Sequence, residues 1–335
     1  MRISKIVIAA AVVFFAVSSL HADEFSKVGT SGAQFLKIGV GARYTAMGDA
    51  SVAAVGDAYS LYWNPAALGN LTQSHLEFTT ISYVSDVNLN YVAFAKPLTF
   101  GTIGASVTAL TSGDMEITTI DQPDGTGKMF SASSYAITLG YARHWTEFFS
   151  FGLSAKYVTE RISEERATGI AFDFGTLLQP GYRNLRIGMN ISNLGPEMKY
   201  SGPELNFNYN PSGDNDNYDD AKGVLDVESY DLPLVFRIGA AYDVQYSQST
   251  RMTFSVEARD PSDNEQQGSL GAEVAFQETF FLRGGYKLNH DEQTATVGAG
   301  LDLKVWSGTD LSVNYAYAEF GRLDSVHRFS LGLRF

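Results

Sequence analysis

Arg328-Phe329-Ser330-Leu331-Gly332-Leu333-Arg334-Phe335 ends the sequence, and its alternation decides the fold. Phe329, Leu331, Leu333 and Phe335 fall on one face of an extended strand. Arg328, Ser330, Gly332 and Arg334 fall on the other, because successive β side chains point to opposite sides. The pattern continues upstream. Leu311, Val313, Tyr315 and Tyr317 oppose Ser312, Asn314 and Ala316; Val297, Ala299, Leu301, Leu303 and Val305 oppose Thr296, Gly298, Gly300, Asp302 and Lys304. Further back, Leu185, Ile187, Met189 and Ile191 alternate with Arg186, Gly188, Asn190 and Ser192, and Met252, Phe254, Val256 and Ala258 with Thr253, Ser255, Glu257 and Arg259. The polar face thus carries glycine and charge as well as hydroxyls.

A soluble sandwich also alternates, so the loops must discriminate. The alternation gives about fourteen strands of roughly ten residues, beginning near 76, 88, 100, 134, 148, 167, 182, 232, 250, 266, 280, 294, 308 and 325. Every second connection is short, around Lys96-Pro97, Trp145-Thr146-Glu147, Pro180-Gly181, Ser247-Gln248, Gln277-Glu278 and Ser307-Gly308. The others include the two longest, Ser112 to Ser133 and Leu194 to Asp231. Short turns at one rim and variable loops at the other predict an all-β transmembrane antiparallel barrel. Closure follows from physics, since hydrocarbon leaves no partner for an open sheet edge. Phe148, Phe149, Tyr182, Tyr242, Phe280 and Phe281 stand near strand ends as aromatic girdles. A terminal aromatic, Phe335, resembles the signal read by the barrel-assembly machinery.

Composition agrees with this reading. The 335 residues are 44% hydrophobic, 13% aromatic and 18% charged, with 32 Gly, 9 Pro and no Cys. A mean hydropathy of -0.08 excludes a bundle of apolar membrane helices, and the absence of Cys excludes a disulfide framework and thiolate chemistry. Residues 1–22, with Arg2 and Lys5 before an apolar run from Ile6 to Val17 and small residues ending at Ala22, predict a cleaved signal peptide. The run is about a dozen residues, short of the roughly 20 a retained helical anchor needs. Removing it leaves 22 basic and 37 acidic residues, net -15, which argues against nucleic-acid binding. The expected location is the outer membrane of a Gram-negative-type cell, with outer-membrane lipid and the barrel-assembly machinery as partners.

Residues 23–72 precede the expected barrel at 73–335. Within them GVGARYTAMGDASVAAVGDAYSLYWNPAALG, Gly39 to Gly69, does not alternate. Asn64 before Pro65, with Gly69 as the stop, predicts one compact helical turn. A small-residue segment here would sit inside the barrel as a plug, or close its mouth. Gly41-Ala42-Arg43, Ala46-Met47-Gly48-Asp49-Ala50, Asp57-Ala58 and Tyr62-Trp63-Asn64-Pro65-Ala66 resemble the N-terminal signature of the PorV/PorQ family. More remotely the segment resembles the FadL-type long-chain fatty-acid transporters, whose hatch also carries Asn-Pro-Ala. The resemblance implies a fourteen-stranded barrel with an N-terminal plug. For the PorV branch it also implies an accessory role in type IX secretion, with secreted cargo or a secretion-system barrel as partner. The plug residues it points to are Gly41, Arg43, Met47, Gly48, Asp49, Asp57, Trp63, Asn64 and Pro65.

Arg43, Asp49, Asp57 and Asn64 could latch the segment to the wall, or Asp57 could cap local backbone donors. The lumen-facing charges Arg186, Arg237, Glu257, Arg259, Glu273, Arg283, Lys287, Asp302, Lys304, Arg328 and Arg334 are mixed in sign, which favours a paired ladder over a selectivity ring. Asp214-Asn215-Asp216 opens like a calcium loop, but Tyr218 replaces an oxygen ligand and no Gly follows, so a solvated acidic loop is the reading. His75, His144, His290 and His327 are isolated, with no HExxH, GxSxG or phosphate loop. No enzyme, cofactor or metal site is expected. Two function classes remain: a binding protein whose outer loops hold an exported protein, and a transporter of a hydrophobic ligand captured by those loops. Burial of apolar area, at about 25 cal/mol per Å², would suffice for such capture. A general porin is disfavoured by the plug.

Overall fold

The computed structural model of this chain describes residues 28–83, 87–182, 184–209, 221–290, 293–306, 308–323 and 325–335. Residues 1–22, expected as a signal peptide, and the acidic stretch Asp214 to Asp220 lie outside the described residues. Fourteen strands form the wall: β1 His75–Ser82, β2 Asn88–Leu98, β3 Gly101–Thr111, β4 Ala132–Thr146, β5 Phe149–Ile162, β6 Glu165–Leu178 and β7 Leu185–Leu194. They continue as β8 Val235–Ser247, β9 Thr250–Pro261, β10 Gln267–Phe276, β11 Phe280–Leu288, β12 Ala295–Trp306, β13 Thr309–Glu319 and β14 Ser325–Arg334. Each pairs antiparallel with its sequence neighbours, and β14 returns to β1 with Leu333 opposite Leu76. Ser74 and Phe335 exchange backbone hydrogen bonds of 2.9 and 3.0 Å at this seam. Each of the fourteen strands thereby has a paired neighbour on both sides, and the sheet closes on itself, as hydrocarbon demands.

The faces are inverted relative to a soluble protein. Leu139, Phe254, Leu282, Val297, Phe329 and Leu331 are exposed, whereas Ser330, Arg328, Glu273 and Ala316 are buried. The apolar row therefore faces lipid and the polar row faces inward. Phe100, Trp145, Tyr246 and Trp306 project at the short-turn rim beside Phe148 and Tyr182, giving a fuller girdle than the sequence suggests. Phe281 is a correction: it is buried, with Arg283 stacked 5.0 Å from its ring centre. Lys304 is another, because it is exposed close to the β12–β13 turn. β8 begins at Val235, after Pro233, which has no N–H for a ladder.

The rim of short turns joins β2 to β3, β4 to β5, β6 to β7, β8 to β9, β10 to β11 and β12 to β13. The opposite rim carries the two long loops. Loop 112–131 bears a small hairpin, Met115–Glu116 against Met129–Phe130, and loop 195–234 bears another, Asn206–Tyr209 against Ala221–Val224. The second long loop also mends the wall. β7 leaves β6 at an irregularity near Phe172 and Phe174, with Asn193 in the left-handed region at φ 64°. Beyond it Tyr200 and Ser201 pair with Ala167 and Arg166 of β6, and Met198 packs under Gly169.

The core of the molecule lies in the lumen. Residues 28–71 run through it, and Tyr44, Met47, Leu61, Trp63 and Leu68 are among the largest fully buried side chains. The glycines on the polar face of the wall now have a purpose. A side chain at Gly152 or Gly175 would strike Asn64 to Ala66, at Gly188 the Val52 backbone, at Gly271 and Gly285 Met47 and Gly48, and at Gly298 Ala46. Only hydrogen on these wall positions lets the segment lie flush against the sheet.

Candidate functional site: the N-terminal segment and the mouth above it

At the long-loop rim the segment is held by backbone and charge. Gly32 donates its N–H to the Asp231 carbonyl at 3.0 Å, and Ala33 N–H donates to Glu160 at 3.1 Å. The 3-10 turn Gln34–Lys37 places Lys37 2.7 Å from Asp263, which also accepts from Gln34 at 2.6 Å and from Ser31. Burial alone would raise the Asp263 carboxyl; the Lys37 ammonium and these donors hold it below its ordinary value.

Deeper in, the sequence-predicted residues take their places. Gly41, at φ 81°, turns the chain into the short helix Ala42–Thr45. Arg43 donates to both carboxylate oxygens of Glu273 of β10, from Nη2 at 3.0 Å and Nε at 3.1 Å. Glu273 also receives Arg283 at 2.7 Å and Arg251 at 3.2 Å, so one carboxylate gathers three cations. Met47 is buried against Gly271, and Gly48 and Asp49 both adopt positive φ, at 68° and 66°. That tight turn aims Asp49 at Lys287 of β11 and lets Gly48 N–H donate to Thr296 at 3.0 Å. Thr296 in turn donates to the Ala46 carbonyl.

Asp57 bonds within the segment. It accepts from the Tyr44 hydroxyl at 2.6 Å and caps the Tyr59 N–H at 3.0 Å. Of the four polar residues expected as a latch, three reach the wall directly and Asp57 stiffens the segment itself. Trp63 is buried and donates to the Val40 carbonyl at 3.0 Å. Asn64, fully buried, accepts from Ala66 N–H at 3.1 Å and donates to the carbonyls of Val52 at 2.8 Å and Thr176 of β6 at 3.0 Å. Pro65 follows as the first residue of the 3-10 helix Pro65–Asn70, where its missing N–H costs nothing. Gly69 lies inside this helix rather than stopping it.

Two contributors are not assigned to the segment from sequence, where Glu257 reads only as one of the lumen-facing charges. Glu257 of β9 accepts the adjacent N–H groups of Ser51 and Val52, both at 2.8 Å. At the mouth a cavity of about 470 Å³ is bounded by Gly29 to Phe35 on one side and by Leu110, Ser134, Glu160, Tyr200 and Tyr230 on the other. Phe35 lines it and also borders a much smaller void of about 10 Å³. Among the described residues no cluster of metal-ligating side chains occurs. His144 and Ser150 are 2.8 Å apart at the short-turn end.

A barrel closed by a buried N-terminal segment can be compared with known proteins. The family of the type IX secretion system protein PorV matches residues 21–213, more than half of the chain. The chain belongs to the PorV family. Its fold is that of solved outer-membrane channels. The CymD monoaromatic hydrocarbon channel aligns over 88% of this chain and 96% of its own, with a TM-score of 0.59 at 14% identity. The toluene transporter TbuX of Ralstonia pickettii aligns over 88% and 97%, with 0.56 at 12% identity. A FadL homologue of Pseudomonas aeruginosa aligns over 92% and 98%, with 0.51 at 13% identity. No curated protein sequence matches. This PorV-family chain is thus an outer-membrane β-barrel, with the architecture of channel and transporter barrels.

Proposed function

We propose that this protein works from its outer surface, as an accessory of type IX secretion that holds exported cargo proteins or a secretion-system barrel. The observation that carries the reading is the filled lumen of a PorV-family chain, with the segment 28–71 bonded to the wall from rim to rim. What is left for a large partner is the long-loop rim. Its hairpins expose Met115, Ile120 and Met129 in one loop and Phe207, Val224 and Leu225 in the other. The test must spare the part of loop 195–234 that seals the wall. Replacing only 114–130 by a short Gly-Ser turn should leave a folded barrel that no longer crosslinks to secreted protein; undiminished crosslinking would refute this surface.

The alternative, a transporter of hydrophobic small molecules such as fatty acids, is favoured by the mouth cavity. Phe35, Leu110, Tyr200 and Tyr230 give it apolar walls, and its size suits a small ligand. On that reading, Phe35→Ala should enlarge the cavity and change uptake of a fluorescent fatty acid into liposomes. Uptake identical to empty liposomes for both proteins would dismiss transport.

A further inference from the structure

The lumen wall carries a row of buried polar atoms that lack partners. In register across four strands stand Asn190 of β7, Arg237 of β8, Arg259 of β9 and Gln267 of β10. Among the described residues no hydrogen-bond partner exists for either side-chain atom of the Asn190 amide, for Nε of Arg237 or Arg259, or for Oε1 of Gln267. From the segment the Tyr62 hydroxyl and Asp49, which feel Arg259 of this row, add the Tyr62 oxygen and Asp49 Oδ1, also without hydrogen bonds among the described residues. Arg237 stacks over Tyr62 and Trp63 at 5.8 and 5.5 Å. Arg328 of β14, 3% exposed, presents Nε and Nη1 with no hydrogen-bond partner among the described residues.

Charge sharpens the point. Arg237, Arg259, Lys287 and Arg328 each act electrostatically on Asp49 or Tyr62, and among the described residues the carboxylates that pair with this group are Asp49, bonded to Lys287, and Glu257, 3.6 Å from Arg237. Lys37 and Asp263 above them cancel as a pair. Water can satisfy orphan amides and hydroxyls, but a guanidinium group left unpaired among the described residues calls for a counter-charge. His290, on the adjoining loop, senses the same field: burial and the neighbouring Lys287 hold its pKa down to about 3.

We infer that the lumen beside Asp49 and Tyr62 is a binding site for one compact oxyanion, such as phosphate, sulfate or a small carboxylate, bound by Arg259 and Arg328. The guanidinium forks supply planar paired donors matched to oxyanion oxygens, and the Asn190 amide and Tyr62 hydroxyl supply neutral ones. The anion would bridge the wall to the segment, so its occupancy sets how firmly the lumen is closed. This does not depend on whether the outer surface binds cargo or a hydrophobic ligand.

The test uses the full chain purified in detergent and exchanged into a buffer whose anion is bulky. Equilibrium dialysis with radiolabelled inorganic phosphate, and competition by sulfate, acetate or decanoate at constant ionic strength, reads binding directly. Tryptophan emission follows it through Trp63. Saturable binding of one phosphate per chain, displaced by sulfate, is the expected result. Arg259→Gln and Arg328→Gln should each weaken it about tenfold or more, while Lys304→Gln, at an exposed position, should leave it unchanged. Displacement by acetate but not sulfate would assign a carboxylate as the natural occupant. Absence of saturable binding in the unaltered protein, equal loss in the Lys304 variant, or binding of decanoate alone would overturn the site. The measurement on the unaltered chain stands even if an arginine variant fails to fold.

Discussion

Glu273 shows how unequal the polar contacts of the lumen are. It is buried and shared by Arg43, Arg251 and Arg283. Glu273→Gln strands three guanidinium groups and should cost about 3–5 kcal/mol in denaturant unfolding from lipid vesicles. Arg43→Met leaves Glu273 two cations and should cost only about 1–2 kcal/mol; equal losses would mean that the cluster does not share its charge as described. At the rim, Asp263 lies below its ordinary pKa, so its bonds to Lys37, Ser31 and Gln34 stabilise the folded state above about pH 4. That contribution is lost as pH falls through the lower folded-state value. The stability difference between the natural protein and Asp263→Asn should therefore stay constant from about pH 5 to 7 and shrink below about pH 4. A gap that widened on acidification would contradict the assignment.

The N-terminal segment is the element on which sequence and structure meet least evenly. Strand alternation is a local signal, repeated in every hairpin, so the wall was legible from Arg328 to Phe335 outward. Asn64-Pro65 was legible for a similar reason, since cap and first-turn proline are adjacent. The seat of the segment was not, because its partners are distant in sequence: Ser51 and Val52 bond to Glu257, and Asp49 to Lys287. An inward glutamate that binds backbone looks, in sequence, like one that pairs with an arginine. The inward glycines were visible as a pattern whose cause appears only when the segment lies against them. Gly285 puts that cause to the test, because a side chain there would meet the backbone of Met47 and Gly48. Gly285→Val should keep the barrel folded, as judged by heat-modifiable gel migration, while displacing the segment and producing ion conductance in planar bilayers. A folded but silent variant would show that this contact does not keep the segment in place.

At the scale of the whole molecule, an outer-membrane barrel of the PorV family has given its interior to its own N-terminal segment and kept two long loops at one rim. The fold resembles hydrocarbon channels at 11–14% identity, a level at which architecture is shared and cargo is not implied. On the proposed reading the filled lumen shifts the work to the rim, which among the described residues offers exposed apolar side chains to a protein partner and a cavity to a small ligand. Native mass spectrometry of the protein gently extracted from its own outer membrane separates the two most directly. The account predicts a retained protein partner, secreted cargo or a large barrel, that disappears when 114–130 is replaced. The barrel alone, carrying only a fatty-acid-sized adduct, would contradict it.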